Sequence, residues 1–320
     1  MTDDSTPVAV VGAGNMGANH ARVYDELPGS DLVELVEPDP ERAARLREEY
    51  AVPVHDRIDA ISEATAATIS VPNDQHRSVA ETCLDMGLDV LVEKPLATTV
   101  DDAEAIVDRA ERRDAVLQAG HIERFNPAVV TLREILTEQS PVAIEAHRLG
   151  PYNEQLSHES VVFDLMIHDL DIIDMLTDAP LKEFDAMGIT PRSTAVDHAV
   201  GQLQFEDGTL GTATASHITH GKVRTLTVTT EQAFIELDYQ EQDITVQRRG
   251  TEETTTLLGH SGYRTEVITE SPYVGTKEPL KNELEHFLDC VDSQTRPAVD
   301  GSVGIRGVEL ATTAASKISN

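Results

Sequence analysis

Apolar and polar positions fall into two rhythms over the first part of the chain. Val8–Val11 is an unbroken apolar run that stops at Gly12. A run of this kind suits a strand buried on both faces, as in a parallel sheet. Asn15–Leu27 follows with helical spacing, and Leu32–Val36 is a second apolar run. Pro40–Tyr50 reads as a helix, with Asp39 as its cap and Pro40 in its first position. Ala67–Val71, Val90–Val92 and Ala115–Ala119 are further strands. Between them lie a helix over Asp74–Met86, ended by Gly87, and a helix running from a cap at Thr99 or Asp101 to Arg113. Such alternation predicts the α/β class, with a doubly wound parallel sheet. These sheets bind ligands at the carboxyl ends of their strands. The polar groups Glu37, Pro72-Asn73, Glu93-Lys94-Pro95 and Gly120-His121 all fall at strand ends.

From about residue 121 the rhythm changes. Asn126–Thr137 and Ser160–Leu176 are helical in pattern, and Val142–Arg148 is a strand. His198–Phe205 and Thr209–His217 flank Glu206-Asp207-Gly208, a hairpin signal. Val223–Thr229, Ala233–Tyr239 and Ile244–Arg248 continue the meander. The pattern predicts two domains, 1–120 and 121–320, the second α+β with a mostly antiparallel sheet. Gly250–Lys277 is rich in Gly, Thr, Ser and charge and reads as a loop able to cover a site. Leu280–Val291 and Val303–Ser319 are helical, and the last is expected to return to the first domain.

The turn after the first strand carries the first chemical signal. Gly12, Gly14 and Gly17 form G-x-G-x-x-G between an apolar strand and a helix. Gly12 suits the tight turn, Gly14 a close backbone approach to a pyrophosphate, and Gly17 close helix–strand packing. The N–H groups of Asn15 and Met16, at the helix start, favour an anion. Glu37 ends the second strand about 20 residues past the glycines, where an acid meets the ribose hydroxyls of a bound dinucleotide.

Composition narrows the partners. The 320 residues are enough for two cores. Fifty-seven acidic residues stand against 25 basic ones, a formal net charge of -32, and only six of the basic residues are lysine. Nucleic acid and anionic membranes would be repelled. No apolar run approaches the ~18 residues of a membrane span, and Met1–Thr6 is short and polar. A soluble, cytoplasmic protein is expected, adapted to high salt. Self-repulsion at this charge needs screening, so the melting temperature is expected to climb steeply with molar KCl in a thermal scan. A flat response would remove the salt-adapted reading. Cys83 and Cys290 lie in apolar helical patterns and read as buried free thiols.

An enzyme that uses a nicotinamide dinucleotide to oxidise an alcohol must polarise the hydroxyl and take its proton. An ammonium and a neutral imidazole supply these functions. Lys94 stands at the mouth of the sheet, before Pro95. His168 lies on an otherwise apolar helix, with Asp164 and Asp171 at helical spacing on one stripe. An Asp one turn before a His can orient the ring and steady its protonated form. Asp and His one turn apart can also share a metal ion, but there is no H-E-x-x-H and none is expected. His121, Arg124 and Asn126 follow the last strand directly, so they are expected at the crevice floor as substrate-binding residues. Arg124 suits a phosphate or carboxylate on a substrate, or an ion pair with Glu123 or Glu159. His20, His55, His198, His217, His220, His260 and His286 read as surface or structural. Tyr152 and Tyr263 are possible substrate contacts.

Taken together, the glycine turn, Pro72-Asn73 with His76, Glu93-Lys94-Pro95 and Asp164-x-x-x-His168 resemble the Gfo/Idh/MocA oxidoreductases in order and spacing, over essentially the whole chain. The resemblance implies an N-terminal Rossmann domain and a C-terminal domain whose open antiparallel sheet forms a dimer or tetramer interface. It implies that Lys94 contacts the reacting hydroxyl, that His168 is the acid–base and that Asp164 supports it. It also places Pro72, Asn73, His76, Glu93 and Lys94 with the cofactor. Glu37 stands where NAD-preferring members carry an acid, and Arg42 is the nearest arginine beyond it, so NAD is expected. G-H-I-E-R-F-N-P and V-V-F-D-L-M-I-H-D-L-D-I resemble the nucleotide-sugar branch, nearest to the members that oxidise C3 of UDP-N-acetylglucosamine. Oxidation of a free sugar or inositol remains open. So does a lyase or glycoside hydrolase that uses tightly bound NAD transiently. A non-catalytic NAD sensor ranks last, because Lys94 and His168 are both present.

Overall fold

A computed structural model describes residues 5–154, 158–250, 253–257, 260–264 and 266–319, with the backbone course alone for 253–257 and 260–264. The chain divides into two compact units: 1–125 with 277–312, and 126–276 with 313–320.

The first unit is a parallel sheet with helices. Its strands are β1 (Thr6–Val11), β2 (Ser30–Val36), β3 (Val54–His55), β4 (Ala66–Ile69), β5 (Asp89–Glu93) and β6 (Leu117–Gly120). Its helices are α1 (Asn15–Glu26), α2 (Pro40–Glu49), α3 (His76–Asp85) and α4 (Val100–Arg113). The strand order is β3-β2-β1-β4-β5-β6, with every pairing parallel. The apolar runs follow from burial on both faces. Val8 and Val10 enter one core with Tyr24 and Phe287, while Ala9 and Val11 enter the other with Val79 and Ile106. Local chemistry sets the helix ends. Asp39 caps α2 by accepting from the Arg42 N–H at 2.8 Å, and Thr99 caps α4 by accepting from the Asp102 N–H at 3.2 Å. Gly87 ends α3 at φ +85°, in the left-handed region that favours glycine.

The expected division at 120/121 differs from the one observed. Residues 121–125 stay with the first unit, and 277–312 return to it. The second of these segments carries α7 (Pro279–Ser293) and most of α8 (Gly301–Ile318). On α7, Leu280, Leu284 and Phe287 join the core that covers β1 and α1. On α8, a Cβ at Gly304 would lie 2.7 Å from Leu96, so that helix packs on the sheet through its glycine.

The second unit holds α5 (Pro127–Ile135), β7 (Pro141–Leu149), α6 (Ile167–Met175), β8 (Leu181–Ile189), β9 (His198–Phe205), β10 (Leu210–Ser216), β11 (Val223–Thr230), β12 (Ala233–Asp238), β13 (Asp243–Arg249), β14 (Glu253–Leu257), β15 (His260–Arg264) and β16 (Val267–Glu270). The open sheet runs β16-β13-β12-β11-β7-β10-β9-β8. It is antiparallel except where β7 and β10 pair in parallel. The loop expected over Gly250–Lys277 is corrected. β14 pairs with β15, and β16 extends the large sheet against β13. Threonine-rich polar segments form edge strands as readily as loops when a partner strand supplies the ladder.

A π-helical turn over Val162–Met166 precedes α6. It shifts the phase of Asp164 against the regular turns of α6, on which His168 and Asp171 keep helical spacing. Asp164 and His168 are half-buried, whereas Asp171 is in the core, 3% exposed. Among the described residues, no helix is long and apolar enough to cross a membrane.

Candidate functional site

In the first unit the strand ends converge as the sequence predicts. Gly12 adopts φ +87°, and a Cβ there would lie 2.8 Å from the Ser70 carbonyl oxygen. A Cβ at Gly17 would lie 1.9 Å from the Gly12 carbonyl oxygen, so the start of α1 sits directly on the turn. A Cβ at Gly14 would meet nothing within 4 Å. Its open side is where a pyrophosphate would approach. No acid lies in the first turn of α1 and no side chain caps it, which leaves the N–H groups at Asn15 and Met16 available to an anion.

Glu37 is 2% exposed. Its Oε2 accepts from the Ala13 N–H at 3.2 Å, and its Oε1 accepts from the Asp39 N–H at 2.8 Å and from Arg42 Nη2 at 3.1 Å. The carboxylate is thus aimed and fixed beside the glycine turn. Next to it, Val11, Val36, Ile58, Val71 and Val79 line an apolar slot suited to a flat base. This donor and acceptor set fits an adenine dinucleotide. Glu37→Ala is expected to weaken NAD by roughly 10–100-fold, the loss of about 1.5–3 kcal/mol of charge-assisted hydrogen bonding. NADP should lose less, because Arg42 is released. Titration of each nucleotide by fluorescence checks both.

Lys94 follows β5 and is half-buried. Its backbone N–H donates to Glu93 Oε2 at 3.1 Å. Glu93 Oε1 is 2.8 Å from His20 Nε2, and His20 is fully buried. Burial pushes the Glu93 carboxyl up, but the His20 hydrogen bond and the His20 and Lys94 charges outweigh it and hold the group below the usual carboxylate range. The Lys94-Pro95 peptide is cis. The His76 ring lies between two carbonyls, with Nδ1 at 2.8 Å from Pro95 O and Nε2 at 3.0 Å from Val71 O. Burial lowers its tendency to hold a second proton, only partly countered by those carbonyls. His76 therefore ties the ends of β4 and β5 together. Pro72 and Asn73 lie between those ends, Pro72 exposed and Asn73 half-buried.

His121 is 2% exposed, and a Cβ at Gly307 would lie 2.7 Å from its ring. Arg124 is half-buried in a short 3-10 turn, Ile122–Phe125. Asn126 belongs to the second unit, and its side chain is engaged with backbone. Oδ1 caps α5 by accepting from the Ala128 N–H at 3.1 Å, and Nδ2 donates to Tyr239 O at 3.1 Å. The geometry gives it a framework role.

In the second unit the polar groups gather where the parallel strands β7 and β10 end. Asp164 Oδ2 lies 2.9 Å from His217 Nε2, just past β10. Arg148, near the end of β7, makes a buried pair with Asp169, with Nη2 to Oδ1 at 2.8 Å. His168 precedes Asp169 on α6. Tyr152 lies under Arg192, whose Cζ is 4.3 Å from the ring centroid. The Tyr263 side chain lies outside the described residues.

Two histidines with defined partners escape a motif search. His20 is spaced with Gly17 and Tyr24 on the buried face of α1. His217 continues the inward alternation of Gly211, Ala213 and Ala215. In each case the periodicity carries the signal.

An all-parallel sheet with this glycine turn, an acid ending β2 and a base-sized slot defines a dinucleotide-binding protein of the Rossmann type. The chain belongs to the Gfo/Idh/MocA oxidoreductase family: the NAD-binding Rossmann model of that family matches residues 6–121, and its C-terminal domain model matches 141–236. The chain is 29% identical over 298 residues to a UDP-N-acetylglucosamine 3-dehydrogenase of Acidithiobacillus ferrooxidans, covering 93% of this chain and 92% of the relative. A solved structure of that dehydrogenase from the same organism matches with a TM-score of 0.89 at 27% identity, over 98% of both chains. An inositol 2-dehydrogenase of Corynebacterium glutamicum is 29% identical over 209 residues, 61% of this chain and 60% of the relative. The protein is an NAD-binding, sugar-type oxidoreductase.

Proposed function

We propose that the protein oxidises a secondary hydroxyl of a nucleotide sugar with NAD, at C3 of UDP-N-acetylglucosamine or a close relative. The observation that carries this reading is the likeness to UDP-N-acetylglucosamine 3-dehydrogenase along nearly the whole chain, both units included. Glu37 supports NAD, because its carboxylate would repel a ribose phosphate. When bound, the nicotinamide supplies the two-electron acceptor.

This chain's residues supply the rest. The Lys94 ammonium stabilises negative charge as it develops on the hydroxyl oxygen. The neutral His168 imidazole takes the hydroxyl proton. Asp164, already held by His217, steadies the imidazolium that results. Arg124 suits a phosphate of the nucleotide. Met187, Ile189 and Leu210 are exposed on the open face of the large sheet, 70%, 57% and 52% respectively. That face supports assembly with further copies of the chain as a dimer or tetramer.

A substrate panel followed by NADH absorbance tests the reading. UDP-N-acetylglucosamine is expected to be turned over far better than free sugars or inositols. Turnover of inositol with none of the UDP-sugar would replace this proposal with the inositol one, which the Corynebacterium glutamicum relative favours.

A further inference from the structure

Glu283 is the one acid of α7 placed on its buried face, among Leu280, Leu284 and Phe287, and it is fully buried. Neither of its carboxyl oxygens has a hydrogen-bond partner among the described residues. The helix is fixed at that point, since Gln118 Nε2 donates to the Glu283 carbonyl oxygen at 3.2 Å.

The surface under this carboxyl is part of the strand ends already described. Leu91 pairs with Gln118 and Glu93 with Gly120, so Gln118 and Glu93 face the same side of the sheet. Leu91 shares its core with Leu284 and Phe287. A Cβ on Gly120 would lie 3.3 Å from Glu93 Cδ, so the Glu93 carboxylate lies across that same face. On α1, Tyr24 bonds Thr68 at 2.7 Å. The titratable groups facing Glu283 are Glu93 from β5, Glu123 from the turn after β6, and Tyr24 from α1. His20 and the Lys94 N–H are both bonded to Glu93.

An ionised carboxylate with no donor, buried beside two other acids, is too costly to persist, and such a group keeps its proton. Burial, then the charges of Glu93 and Glu123, hold the Glu283 carboxyl well above its usual range. Glu93 is displaced the opposite way. Neighbouring carboxyls pushed apart in this manner divide the work, one carrying the proton and the other the charge.

We infer that Glu283 is a positioning residue for the reaction: a proton-bearing carboxyl packed beneath the Glu93–His20 pair that lets the Glu93 carboxylate keep hold of the Lys94 backbone. The inference rests on the role proposed for Lys94. A second anion at Glu283 would repel the Glu93 carboxylate from the N–H it holds and release the strand end that borders the cofactor site.

The test compares wild type with Glu283→Gln, which is neutral at every pH and nearly the same shape. Glu283→Met serves as a second neutral variant. The first measurement is melting temperature without ligand from about pH 5 to about pH 9. Folding holds the Glu283 proton that the unfolded chain gives up near its ordinary value. Wild type therefore loses stability with rising pH relative to Glu283→Gln, until the folded group itself titrates. A difference that stays flat across this range overturns the inference.

The second measurement is NADH affinity over the same range. Wild-type Kd is expected to rise about tenfold per pH unit above the titration of Glu283, while both neutral variants hold a flat Kd there. Wild type and variants falling together would leave Glu283 a packing residue and overturn the positioning role. Neither measurement needs a substrate, so failure of the sugar assignment, or of Lys94 in turnover, leaves this result readable on its own.

Discussion

Lys94→Ala is expected to lower kcat by roughly 10²–10⁴-fold while leaving NADH affinity nearly unchanged. The separation of the two effects follows from how the strand end is held. The Lys94 N–H is bonded to Glu93, Glu93 is bonded to His20, and the carbonyl of the following residue, Pro95 O, is fixed by His76. None of these contacts uses the Lys94 side chain. Truncation removes the ammonium and leaves its backbone in place. On the proposed mechanism the lost term is stabilisation of charge that exists only as the hydroxyl ionises, so it is felt in turnover rather than in ground-state binding.

His168→Ala is expected to fall in the same range, because the proposed mechanism makes His168 the proton acceptor for that same step. The double variant should then lie little below the worse single one, since groups acting as a unit are non-additive. Steady-state kinetics on the three variants, with NADH binding by fluorescence, decide it. Wild-type turnover in Lys94→Ala would remove that residue from the chemistry. Fully multiplied losses in the double variant would assign the two residues to separate steps.

The parallel sheet is legible because its strands leave the chain no choice. Val8–Val11 alternates between two cores, so no polar residue is tolerated on either face. The helix ends are legible because Asp39, Thr99 and Gly87 act on their own neighbours. What the pattern hides is what each apolar face packs against. Leu280, Leu284 and Phe287 announce a buried helix, yet nothing local says that it covers β1 and α1, more than two hundred residues earlier. β8 is hidden for another reason. It is an edge strand carrying exposed Lys182, Glu183 and Asp185, and its alternation is weak.

The candidate site divides along the same line. The glycine turn, Glu37 and Lys94 stand at strand ends, where position along the chain sets position in space. The second unit is different. One extra residue in the turn over Val162–Met166 shifts the phase of the helix. Helical spacing then misplaces Asp164 relative to His168 and Asp171, and Asp164 has a partner, His217, more than fifty residues away. Such a π-helical turn has no compositional mark.

The buried pair beside that turn carries the largest expected effect on stability. Arg148 is 4% exposed and Asp169 1%. The guanidinium reaches the carboxylate through Nε at 3.1 Å and Nη2 at 2.8 Å. Its plane is backed by the Tyr239 ring, 4.9 Å from Cζ to the centroid. Arg148→Met is expected to destabilise the protein by about 3–5 kcal/mol, because it strands the Asp169 charge inside the unit. The cost is desolvation of the surviving partner rather than loss of an attractive pair. Replacing both residues, Arg148→Met with Asp169→Leu, should therefore recover most of the loss.

Urea denaturation of the three proteins separates these terms, read on the transition of the second unit, since a chain of two units need not unfold in one step. A double variant as unstable as Arg148→Met alone would mean that the pair is held for its attraction after all. Activity supplies an independent reading. Asp169 sits next to His168 on α6, so a helix freed from Arg148 should cost the single variant turnover beyond what its folded fraction explains. Recovery of stability without recovery of turnover in the double variant would show that the ion pair's task is to aim His168 rather than to hold the unit together.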